Sequence, residues 1–171
     1  MIKKLVSGND EFVDKIHSDI KLNGLIKELS VNGQHPYALV ITCSDSRVIP
    51  ELIFNKTFGE LFVIRTAGNV INDGELATIE YAIEHLKVEN IIVLGHTHCG
   101  AVHAAIHNEK GKYMDPILSK IKLAIKDEVD EVKATNLNAD SVVKYIKSKF
   151  PKYKGGIIKA IYNIETGIVI M

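Results

Sequence analysis

At 171 residues and 18.9 kDa the chain is long enough for one domain with a real hydrophobic core and short for two. Apolar residues at 46% and charged residues at 25% exclude a disordered or fibrous chain. Basic and acidic residues balance at 21 each, so no long-range positive field draws in nucleic acid or an anionic membrane, and a small-molecule substrate is expected.

The opening MIKKLVSGNDEF reaches Asn9 and Asp10 before any apolar stretch of signal-peptide length, and no run approaches the roughly 20 apolar residues of a membrane span. A cytoplasmic chain is the expectation. Residues 9–29 carry Phe12, Val13, Ile16, Ile20, Leu25, Ile26 and Leu29 at helical spacing, with Gly24 as the expected bend. HPYALVITC (35–43) reads as a buried strand that stops at Ser44-Asp45-Ser46-Arg47. LFVIRTAGN (61–69) and NIIVLGHTHCG (90–100) repeat that design, separated by a helix over 73–88. Further helices are expected after residue 100, over 116–129 and over 139–150, and two strands around Glu165-Thr166-Gly167 close the chain. Strands alternating with helices predict an α/β fold with a mostly parallel central sheet: about four parallel strands, helices on both faces and an antiparallel edge strand.

In open α/β sheets the working site lies beyond the carboxyl ends of the strands. Here one strand ends at Cys43, followed by Asp45 and Arg47, and another ends at His96-Thr97-His98-Cys99. Neighbouring parallel strands would gather Cys43, His96 and Cys99, two thiolates and an imidazole suited to a borderline-soft ion such as zinc. Three protein ligands leave a fourth position open, the mark of a catalytic rather than a structural zinc. His98 competes as a ligand, and His103 and His107 stand one helical turn apart, read as surface residues that could in principle bind metal. Of 21 basic residues only Arg47 and Arg65 are arginines, and Arg47 lies two residues from Asp45, where its planar fork suits a carboxylate.

CSDSR (43–47) with HTHCG (96–100), EYAIEHLKVENIIVLGHTHCG (80–100) as a whole, and the terminal AIYNIETG (160–167) resemble the β-class carbonic anhydrases. The resemblance implies one zinc per chain held by Cys43, His96 and Cys99, with Asp45 and Arg47 as the catalytic dyad. It also implies a plant-type pocket, with Gln34 nine residues before the first cysteine, Phe62 nineteen after it and Tyr81 fifteen before His96. Gly100, closing HTHCG, belongs to the same pocket. A bicarbonate-regulated type carries a tryptophan three residues before the first cysteine; Val40 stands there, although the accompanying arginine is kept as Arg65.

The implied function is reversible hydration of CO2 to bicarbonate and a proton, by a single domain over 1–171 with an N-terminal helical arm over about 8–30. Because the family's pocket draws residues from a neighbouring subunit, a homodimer or higher homo-oligomer is implied, without nucleic-acid or membrane partners. The alternatives are a zinc hydrolase of carbonyl sulfide or carbon disulfide on the same fold, and a non-catalytic zinc module closed by Asp45. A dithiol redox module is disfavoured, since Cys43 and Cys99 form no Cys-x-x-Cys.

Overall fold

The computed structural model describes residues 2–171, and the chain divides at Pro36 into two units. The first holds α1 (Ile2–Ser18) and α2 (Ile20–Asn32). The helical arm thus starts at Ile2 rather than near residue 8, and its break falls at Asp19 rather than Gly24. At Asp19 the backbone is extended and the carboxylate accepts the N–H groups of Lys21 and Leu22, both at 3.0 Å. Two otherwise orphaned donors are satisfied there, whereas a glycine inside a helix only weakens it by about 1 kcal/mol. Neither helix of this unit buries a single residue: Ile2, Leu5, Val6 and Ile20 all lie open.

The second unit runs through β1 (Ala38–Cys43), α3 (Pro50–Ile53), β2 (Leu61–Thr66), α4 (Asp73–Glu84), β3 (Asn90–His96) and α5 (Gly100–Ile106). It continues with α6 (Asp115–Ile125), α7 (Glu131–Lys149), β4 (Gly156–Tyr162) and β5 (Val169–Ile170). The sheet order is β2-β1-β3-β4-β5, the first four parallel and β5 antiparallel to β4, as the alternation of elements predicts. β1 is buried at all six positions, which is why it reads as an unbroken apolar run.

The helix over 139–150 begins earlier, at Glu131. Asp130 caps it by accepting the Lys133 N–H at 2.9 Å, and Ala134, Thr135, Asn138 and Ala139 are buried. The Asn- and Thr-rich first turns have low helix propensity, and burial overrides it. The short α3 carries too few residues to show a period.

Helices do not cover both faces alike. Leu39, Ile41, Ile91 and Val93 pack against Ile79 and Ala82 of α4 and Val142, Val143 and Ile146 of α7. The opposite face, with Val40, Leu94 and Ala160, is covered within this unit by Val48, by Ile53 of α3 and by Ile164 and Val169 near the C-terminus. Ile158 is left 39% exposed and Leu52 74%. α5 and α6 form a third cluster with Cys43, Cys99 and Val70, beyond the carboxyl edge of the sheet.

Candidate metal centre

β1 and β3 are neighbours in register, with Thr42 beside Leu94, so the next residues of each strand emerge together at the carboxyl edge. Cys43 ends β1, His96 ends β3, and Cys99 stands at the N-cap of α5, three buried side chains whose ligand atoms all lie within 4.8 Å of one another. His98, with φ +55°, makes the tight turn between the last two. Its ring leaves the cluster and donates from Nε2 to Glu165 Oε1 at 3.1 Å.

The donor set fits a divalent ion. The Thr97 carbonyl, which only accepts, takes the His96 Nδ1–H at 2.8 Å, leaving the Nε2 lone pair as the ligating face. That Nε2 is buried and has no hydrogen-bond partner, which a metal would remedy. Burial lowers the His96 pKa, but the adjacent Cys43 sulfur and the Thr97 carbonyl outweigh it and the net shift is upward. The Cys99 thiol at Cys43 holds the Cys43 pKa down to about 4 against the penalty of burial, helped by His96 and by backbone N–H groups. Cys99 is driven far up in turn, by that same bond to Cys43 and then by burial. Two buried thiolates repel, and a cation between them would relieve that repulsion.

The turn after Cys43 is tied down by both arginines. Arg47 grips Asp45 in a fork, Nε to Oδ1 at 2.9 Å and Nη2 to Oδ2 at 2.7 Å, and its backbone N–H also reaches Oδ1 at 2.9 Å. The Arg47 hydrogen bonds hold the Asp45 carboxyl well below the usual carboxylate range. Arg47 Nη2 further donates to the His98 carbonyl at 3.2 Å, tying the two ligand-bearing turns together. Arg65 donates to the carbonyls of Cys43 (3.2 Å) and Asp45 (2.7 Å), a backbone brace that sequence reasoning did not see. Arginine scarcity was the available signal, because a residue type used twice and converging on one turn has a specific geometric task.

A second unforeseen participant is Gly68, whose N–H donates to Cys43 Sγ at 3.4 Å and whose carbonyl accepts from Asn138 Nδ2 at 2.8 Å. Its φ is +62°, and a Cβ there would meet Ile121 Cδ1 at 2.8 Å and Ala101 Cβ at 3.1 Å. Gly68→Ala is expected to destabilise the fold by about 2 kcal/mol from backbone strain plus overpacking. Urea unfolding checks this, and an unchanged midpoint at unchanged slope contradicts it.

Of the remaining pocket candidates, Phe62 and Tyr81 stand apart from the cluster. Phe62 and Tyr81 meet with ring centroids 6.1 Å apart, and Tyr81 stacks on His85 at 5.0 Å. In the β1–β2 register, however, Phe62 lies beside Leu39 while Thr66 lies beside Cys43, which puts Phe62 four residues, roughly 13 Å, back along the strand. Gly100 is exposed as the first residue of α5, and Gln34 is an exposed residue of the first unit, after the Gly33 cap.

Residues 38–152 match a family model described as carbonic anhydrase. A carbonic anhydrase of Synechococcus elongatus is 56% identical over 81 residues, which cover 44% of this chain and 30% of that protein. The first three curated relatives are each matched over only 30% to 38% of their own length. Among solved structures, the β-carbonic anhydrase CafA of Aspergillus fumigatus superposes with a TM-score of 0.84 at 26% identity, covering 99% of this chain and 89% of that one. One of two tetrameric β-carbonic anhydrases of Sordaria macrospora gives 0.79 at 25% identity, covering 98% and 94%.

Proposed function

The chain belongs to the β-carbonic anhydrase family, and on that premise we propose that it is a zinc enzyme catalysing the reversible hydration of CO2 to bicarbonate and a proton. The observation that carries this reading is the buried, partnerless Nε2 of His96 facing two cysteines, with Asp45 clamped by Arg47 two residues from the first. One zinc held by Cys43, His96 and Cys99 would supply Lewis-acid chemistry, lowering the pKa of water toward the physiological range.

The chain's own residues then position and exchange the proton. An ionised carboxylate offers about four acceptor sites. Arg47 fills three at Asp45, through its backbone N–H, Nε–H and Nη2–H. One direction remains for an incoming water, so Asp45 orients that water instead of tumbling, and most of the gain is orientation. The depressed pKa keeps Asp45 an ionised acceptor at neutral pH. Arg47 also competes with the metal for the carboxylate, which argues against a non-catalytic module closed by Asp45. Hydrolysis of carbonyl sulfide or carbon disulfide is the second substrate reading, and no residue geometry favours it over CO2.

We assign Phe62, Tyr81, Gln34 and Gly100 to the substrate pocket, with the two aromatic residues serving the metal centre of a second copy. The distance of Phe62 along β2 from the position beside Cys43, with Tyr81 packed on it, supports that division. A homo-oligomer is further supported by a helical arm that buries none of its own apolar residues and by the thinly covered sheet face around Leu52 and Ile158. No helix among the described residues is long and apolar enough to cross a membrane, and two free buried cysteines fit a cytoplasmic location.

Stopped-flow CO2 hydration with a pH indicator, on protein of known zinc content, tests the proposal. Fast hydration that rises above neutral pH and scales with zinc is the expected result. A chain with one zinc that does not accelerate hydration overturns it.

A further inference from the structure

His103 of α5 and His107, which caps that helix and donates its backbone N–H to the His103 carbonyl, stand one turn apart, and their rings lie 4.1 Å apart, centroid to centroid, tilted by 32°. Each ring has one nitrogen spoken for. His103 Nδ1–H donates to Glu131 Oε1 at 2.7 Å, and His107 Nδ1–H donates to the His103 carbonyl at 2.9 Å. Neither a carboxylate nor a carbonyl oxygen can donate, so both neutral rings are fixed as the Nδ1–H tautomer. Both Nε2 lone pairs are therefore left for an outside partner, on rings that stand in solvent, His103 with 52% of its side chain exposed.

We propose that His103 and His107 form a second metal site, which takes one divalent transition ion of the imidazole-preferring class, such as zinc, through the two Nε2 atoms. Residues four apart on a helix face project side by side. Two nitrogens roughly 3 to 3.4 Å apart can share an ion at bond lengths of about 2.0–2.1 Å, a separation compatible with ring centroids 4.1 Å apart. Glu131 holds His103 from behind, as an outer carboxylate holds a ligating imidazole, fixing its orientation. Among the described residues no third carboxylate, thiol or imidazole joins the pair closely enough to ligate, so water completes the coordination and the site stays open and exchangeable. Glu131 opens α7, and an ion on His103 would tighten the link between α5 and the start of that helix. The inference goes beyond the hydration activity and does not depend on it.

Zinc titrated calorimetrically into the full chain, already carrying its first equivalent, is expected to reveal a second, weaker equivalent. His103→Ala and His107→Ala should each weaken that equivalent at least tenfold. Glu131→Gln should weaken it ~10-fold or more by loosening the outer hydrogen bond. Nitrogen-15 spectra of the histidine rings give a residue-specific readout: the Nε2 signals of His103 and His107 should shift with the second equivalent while both Nδ1 keep their protons. Because the shift is read at named rings, failure of the Cys43, His96 and Cys99 centre to hold zinc would be seen separately. Absence of a second equivalent overturns the proposal, as does one that persists undiminished in both alanine variants or leaves those Nε2 signals unmoved.

Discussion

Asp45→Asn is expected to lower CO2 hydration by about 10²- to 10⁴-fold while leaving the zinc content at one per chain. Asparagine keeps the shape of the side chain and one acceptor oxygen, but it replaces the other oxygen with an NH2 that faces Arg47 Nη2, now donor against donor. The fork of Nε and Nη2 is broken, and the free acceptor direction that orients water is lost with the charge. The three side chains that could hold the metal are untouched, because Asp45 is not among the groups gathered at the cluster. Metal analysis and stopped-flow hydration on one preparation decide the matter. Activity within threefold of the parent would remove Asp45 from the chemistry, and loss of zinc would make it a structural residue.

His96→Ala is expected to do the opposite, removing metal and activity together. The imidazole is fully buried and fixed by the Thr97 carbonyl, and its loss leaves two cysteines and an empty space beside them. Two sulfur ligands alone hold zinc far more weakly than three donors, so zinc content should fall below about a tenth per chain and hydration to background. Stability should follow, because an ion that binds only the folded state adds about 4 kcal/mol when present at a thousand times its Kd. Removing zinc from the parent with a chelator should therefore lower its Tm markedly, while the same treatment leaves the variant's Tm unchanged. A His96→Ala protein that retains one tightly bound zinc would show that this histidine is not a ligand.

The sheet and the gathering of the cluster were legible in the sequence for local reasons. β1 and β3 each show a short apolar run that ends abruptly, since strands buried on both faces cannot alternate, and the edge strand β2 shows a similar run although only Ile64 is buried. Cys43 and His96 stand at such ends, and ligand-type residues there are brought together by parallel pairing alone. The spacing of Asp45 and Arg47 likewise needs no tertiary context, as a residue two positions on can fork a carboxylate within one turn. Less legible was the start of α7, where Asn and Thr mask a helix that burial sustains, and the break in the helical arm, where capping at Asp19 outweighs the flexibility of Gly24.

Local pattern was thus enough for the order of the strands and longer helices, the parallel sheet with its antiparallel edge, and the residue types that a metal centre requires. Only the tertiary structure decided which partners surround them. Arg65 reaches back to the carbonyls of Cys43 and Asp45, Gly68 donates to the Cys43 sulfur, and His98 turns to Glu165. It also decided that Tyr81 of α4 meets Phe62 four residues back along β2 from the position beside Cys43. The physical reason is common to all of these. Periodicity reports how each residue faces its own element, whereas hydrogen bonds and ring contacts between distant segments depend on strand register and turn geometry, which no local pattern carries.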